Sequence, residues 1–270
     1  MKRIKTYQLF ESSVRKITDT QSRFLNSAVF GTWYQDEETG EVEVDGSFNI
    51  TSERMPDLLG IRFSRAGLNF FASGNLLTNL NGFPRSVWRD FSVARNQLRS
   101  LAGGPEEVGG NYDCADNQLE TLKGAPDMVG GDFLCENNKL SSLEGGPSQV
   151  EGMFECSFNP LGDLKGAPVH VGAGFVAIDC GLTSLEGFPR SITGGFDLSG
   201  NPVSEDTFYE IANTMTERAK TYQEALEIHW DEIPMGDKIL LFRPEFKFIE
   251  DSQYRLLSAK SRVAKIQDQL

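Results

Sequence analysis

The sequence predicts an α+β, mostly β chain: a parallel solenoid of about eight short strands, with an N-terminal cap and a C-terminal helical cap. Three observations carry this reading. Prolines recur at Pro84, Pro105, Pro126, Pro147, Pro168 and Pro189, each 21 residues after the last. Seven residues beyond each proline stands an aromatic: Phe91, Tyr112, Phe133, Phe154, Phe175 and Phe196. Asn96, Asn117, Asn138, Asn159, Cys180 and Asn201 follow at twelve, and Leu98, Leu119, Leu140, Leu161, Leu182 and Val203 at fourteen. Leu101, Leu122, Leu143, Leu164 and Leu185 extend the register to seventeen.

Residues 1–45 read as a leader and cap. MKRIKTYQLFESS is charged but lacks the apolar stretch of a secretory signal. Phe24, Leu25, Val29, Phe30, Trp33 and Tyr34 form an aromatic-rich segment suited to covering the first unit. A short helix, a turn at Glu38–Gly40 and a strand at Glu41–Val44 are expected here.

Residues 46–203 hold the array. Phe70, Asn75, Leu77 and Leu80 keep the register without the proline, and Phe48, Ile50, Met55 and Leu58 precede them with one extra residue between units. That makes eight units. Apolar residues two apart, such as Phe133 and Cys135, place both side chains on one face of a short strand. The chain must then turn, and the Asn138 amide is suited to bonding the bare backbone of that turn. Stacked copies predict an asparagine ladder. The Gly124–Pro126 segment cannot sustain a helix, so the return leg is expected to be extended or turn-like. No unit buries its apolar face alone; stacking does so.

Residues 204–270 switch to helical patterning. Ser204 is placed to cap one helix, Thr221 and Glu224 match a capping box, and residues 245–267 read as a last amphipathic helix.

This spacing resembles the leucine-rich-repeat pattern L-x-x-L-x-L-x-x-N/C-x-L, and Cys180 fits its Asn-or-Cys position. The 21-residue period is similar to the short bacterial type of secreted effectors. The wording G-x-P-x-x-V-x-G-x-F-x-C-x-x-N-x-L and the segment FLNSAVFGTWYQDEETGEVEVDGSFNI more closely resemble repeat proteins of tailed bacteriophages, a resemblance that carries no activity with it. The ligase domain of some effectors has no counterpart in a 67-residue tail without cysteine.

Composition narrows the function. The chain carries 26 Lys and Arg against 39 Asp and Glu, a net charge of −13, and every region is acidic. Binding to phosphates needs the opposite sign, which disfavours a nucleic-acid partner. No segment has the roughly 18 apolar residues of a membrane-spanning helix, so a soluble, cytoplasmic protein is expected. Cys114, Cys135 and Cys156 occupy one inward strand site and, with Cys180, read as core thiols suited to a reducing compartment. They are too far apart in sequence for a zinc motif. His170 and His229 suggest no triad, and no glycine precedes a Lys-Ser/Thr phosphate loop. No enzyme activity, metal or cofactor is expected.

The positions flanking the inward strand residues face solvent on the expected concave sheet. They read Asp90, Asp113, Asp116, Asp132, Glu136, Glu155, Asp179 and Asp197 against one clear cation, Arg95, with Phe71, Leu134, Met153, Phe158 and Val176 interleaved. Mixed acidic and apolar character suits a protein-binding face for a basic partner surface. The alternative is a virion-associated or internal head structural protein, because KTYQLFES resembles phage capsid-targeting leaders with cleavage after Glu11.

Overall fold

The computed structural model describes residues 15–204. The expected capsid-type leader and the helical tail fall outside the described residues. Helix α1 spans Asp19–Ala28 and opens with a capping box between Thr18 and Gln21. The Gln21 amide also donates to the Leu59 carbonyl at 2.9 Å, tying the helix to the array. Leu25 is fully buried, and Phe24 meets Phe48 edge-on at 5.9 Å between ring centroids.

A strand not anticipated from the sequence follows: β1, Val29–Gln35, antiparallel to β2, Val42–Asn49. Gly31 faces Gly46 where they pair. Their φ angles are +139° and +138°, and a Cβ on either would lie 2.2 Å from a carbonyl oxygen of the other strand. Only glycine permits this approach, and the aromatic reading of the segment gave no hint of it.

The expected single strand per unit resolves into two. One row comprises β3 (Phe63–Ala66), β5 (Ser86–Val87), β7 (Glu107–Val108), β9 (Met128–Val129), β11 (Gln149–Val150), β13 (His170–Val171) and β15 (Ser191–Ile192). The other comprises β4 (Phe70–Phe71), β6 (Phe91–Ser92), β8 (Tyr112–Asp113), β10 (Phe133–Leu134), β12 (Phe154–Glu155), β14 (Phe175–Val176) and β16 (Phe196–Asp197). We call them the valine row and the phenylalanine row. β2 begins both, pairing in parallel with β3 through Val42–Val44 and with β4 through Phe48–Asn49. The chain thus forms a mostly β parallel solenoid, with about seven turns of 21 residues between Phe48 and Phe196.

The core follows the repeat. Phe48, Phe70, Phe91, Tyr112, Phe133, Phe154, Phe175 and Phe196 are all buried. Phe133 and Phe154 stack at 5.5 Å with planes 7° apart, and Phe154 and Phe175 at 5.6 Å with planes 4° apart. Asn138 donates its amide to the carbonyls of Cys114, Cys135 and Glu136 at 3.2, 3.1 and 3.2 Å. Its Oδ1 accepts from the Leu119 N–H at 2.9 Å, so one side chain satisfies four backbone groups across two units. Cys180 sits in the same position and bonds the Cys156 carbonyl through its Sγ at 3.3 Å. All four cysteines are buried free thiols.

Gly124 shows why each proline is preceded by glycine two residues earlier. Its φ is +101°, and a Cβ there would lie 2.5 Å from the Leu101 carbonyl. The return leg therefore packs backbone against backbone.

Candidate functional site

The structure distributes the sequence-derived face over four outward columns of the phenylalanine row. Cross-strand pairing aligns Phe71, Ser92, Asp113, Leu134, Glu155, Val176 and Asp197, one residue after each core aromatic. Four of the predicted site residues, Asp113, Leu134, Glu155 and Asp197, thus share one column and are partly buried. Glu136 lies two residues beyond Leu134, just after the end of β10 and before the turn.

The next column is a turn. Arg95, Asp116, Asn137, Phe158 and Asp179 all have left-handed φ, between 52° and 57°. Asp116 pairs with Arg95 at 3.5 Å and accepts a hydrogen bond from the Asn137 amide. Phe158 holds this backbone conformation while 54% exposed. An aromatic gains nothing for folding there, since glycine fills the equivalent positions Gly74 and Gly200 without strain.

The fourth column, one residue before each aromatic, carries structure. Asp90 accepts from the Asn111 N–H at 2.9 Å, Asn111 from Asp132 at 2.8 Å, and Asp132 from Met153 at 2.7 Å. Asp90 and Asp132 are therefore rungs of a second Asx ladder, each holding the next unit through its Oδ1.

Three carboxylates remain at the centre. Asp113 accepts from the Ser92 hydroxyl at 2.9 Å and the Ala115 N–H at 3.2 Å. Glu155 accepts from the Ser157 N–H at 3.2 Å. Burial pushes both carboxyls above their usual range. Among the described residues, the buried Oε2 of Glu136 has no hydrogen-bond partner. Burial raises it to about 6, and the carboxylates of Glu155, Asp113 and Asp116 push in the same direction. The face gathers negative charge around a carboxyl that pairs with no cation among the described residues.

Sequence reasoning missed the outer side of the valine row. A groove of about 790 Å³ runs across it, with Trp88 and Met128 on its walls. The available signal was Trp88 itself, four residues after its proline, where later units carry Gly109, Gly130, Glu151, Gly172 and Thr193.

Among the described residues no helix is long and apolar enough to cross a membrane, and no group of His, Cys, Asp or Glu side chains is arranged to hold a metal ion. No family model, curated protein or solved structure matches the chain.

Proposed function

We propose that this chain is a leucine-rich-repeat binding module that docks a basic protein surface on the phenylalanine-row face. Residues 1–45 and 204–270 act as caps that shield the open ends of the stack. The observation that carries the reading is the unpartnered Glu136 oxygen among the Asp113 and Glu155 carboxylates. Fold stability gains nothing from burying a carboxyl beside others of its sign. A Lys or Arg from a partner supplies the missing counter-charge and hydrogen bond at once. Leu134, Met153 and Phe158 offer apolar contact around that point. Asp90 and Asp132 hold the units in register and do not contact the partner, so the binding set narrows to Asp113, Asp116, Glu136, Glu155, Asp179 and Asp197 with the three apolar residues.

The test is fluorescence anisotropy with labelled helical peptides of graded Lys and Arg content. The isosteric triple variant Asp113→Asn, Glu136→Gln and Glu155→Gln should lose at least tenfold in affinity while melting no lower than the parent. Unchanged affinity in the triple variant rejects this face as the docking surface.

A further inference from the structure

The valine row carries a groove whose features are independent of the phenylalanine-row face. Its groove of about 790 Å³ is walled by Trp88 and Met128 and by Glu106, Glu107, Asp127 and Glu151. Trp88 is 73% exposed and Met128 54%, although the core of the same row is filled by Val87, Val108 and Val129. Gly109 and Gly130 leave the floor bare, and for a structural reason. A Cβ on Gly109 would lie 2.1 Å from the Trp88 carbonyl, and one on Gly130 would lie 2.3 Å from the Gly109 carbonyl. The floor therefore stays open to a ligand of modest width.

The charges of the walls are unbalanced. None of the four carboxylates makes an ion pair or a side-chain hydrogen bond among the described residues, while the lining cation Arg65 is paired with Glu43. Three acids stand on successive rungs: Glu107 pairs with Ser86 of the Trp88 unit, Val108 with Val129 of the Asp127 unit, and Met128 with Gln149 of the Glu151 unit. Parallel strands lie about 4.8 Å apart, so Trp88 and Glu151 are separated by roughly 14 Å along the row. An extended chain covers that distance in four to five residues, at about 3.3 Å each.

We propose that this groove binds an extended, Lys- or Arg-rich segment of another protein, with one cationic side chain over the Trp88 indole, the next between Glu107 and Asp127, and a third on Glu151. An indole face attracts a cation, and alternate side chains of an extended peptide recur about every 7 Å, so three of them span the roughly 14 Å from Trp88 to Glu151. Four unpaired carboxylates favour this occupant over a neutral saccharide, for which hydroxyl and amide groups would be the expected lining.

The full chain is titrated with a fluorescein-labelled heptapeptide of alternating Lys and Thr. Binding is expected to weaken as salt rises. Trp88→Ala should reduce affinity about tenfold and Trp88→Phe much less. Glu107→Gln combined with Asp127→Asn should also reduce it about tenfold, with an unchanged melting curve because both side chains are exposed and unbonded. Asp113→Asn with Glu155→Gln, which removes the same charge from the phenylalanine row, should leave heptapeptide binding intact. The proposal is overturned if the heptapeptide fails to bind, if the phenylalanine-row pair abolishes binding while the groove variants do not, or if all variants bind equally. It is equally overturned if a neutral oligosaccharide such as chitohexaose binds in a Trp88-dependent way that survives the carboxylate substitutions.

Discussion

Asn117 and Asn138 lock consecutive units through equivalent turns one repeat apart. The Asn138 amide donates to the Cys114 carbonyl at 3.2 Å, and Asn117 reaches the corresponding Val93 carbonyl one unit earlier at 3.0 Å. Each asparagine also accepts from a leucine N–H of the preceding unit, Leu98 for Asn117 and Leu119 for Asn138.

Replacing Asn138 with Leu strands these backbone groups without partners and should cost about 1–3 kcal/mol. Asn138→Cys should cost less, because Cys180 shows a thiol bonding the preceding unit's carbonyl at 3.3 Å. Urea denaturation ranks the three proteins. A leucine variant as stable as the parent would mean that the ladder carries no stability.

The aromatic column makes a second demand. Phe154 is fully buried between Phe133 and Phe175. Phe154→Ala should cost roughly 3–5 kcal/mol, from lost transfer energy and the cavity left behind. A melting temperature within a degree or two of the parent's would contradict the packing.

Tyr112 breaks the pattern in an informative way. It is the one tyrosine in the column, fully buried, and its hydroxyl has no partner among the described residues. Gly104 makes room for it: a Cβ at Gly104 would lie 3.2 Å from that oxygen. Removing an unpaired buried hydroxyl relieves a desolvation cost, so Tyr112→Phe should match or exceed the parent in stability. A loss of more than about 1 kcal/mol would point to a hydrogen bond made by this hydroxyl.

The period made the fold legible. Pro84 through Pro189 fixed the unit length, and the aromatic, asparagine and leucine positions fixed the inward face and the ladder. The two-strand construction was not legible, because Ser86–Val87 and its counterparts are two residues long and show no alternation of their own. Nor was β1, whose pairing depends on two glycines meeting face to face. Within the candidate face, the sequence separated inward from outward residues. It did not separate Asp132, whose carboxylate holds the Met153 N–H, from Glu136, whose Oε2 is buried with no partner among the described residues. Both are acids on outward positions, and only the path of the neighbouring backbone distinguishes them.

Glu136 also makes the fold sensitive to pH. Its folded-state value of about 6 lies above the ordinary 4.5, so the native state holds the proton more tightly than the unfolded chain. Stability should fall as pH rises from about 4.5 to 6 and stay lower above that window. Linkage bounds the loss at about 2 kcal/mol, and solvent screening of a partly exposed group reduces it to about 1. Glu136→Gln should be more stable than the parent at pH 7 and should lose that advantage below pH 4.5. Thermal melts of both proteins across this range check the sign.

The proposed docking face is tested most directly by following the Glu136 side-chain carboxyl by NMR during a pH titration, with and without a saturating basic peptide. The free protein should titrate near pH 6. With the peptide bound, a Lys or Arg at Oε2 should lower that midpoint to the ordinary 4.5 or below, with proton release on binding near neutral pH. A midpoint that stays near 6 in the saturated complex would show that no cation reaches Glu136, and would contradict the assignment of this face as the binding surface.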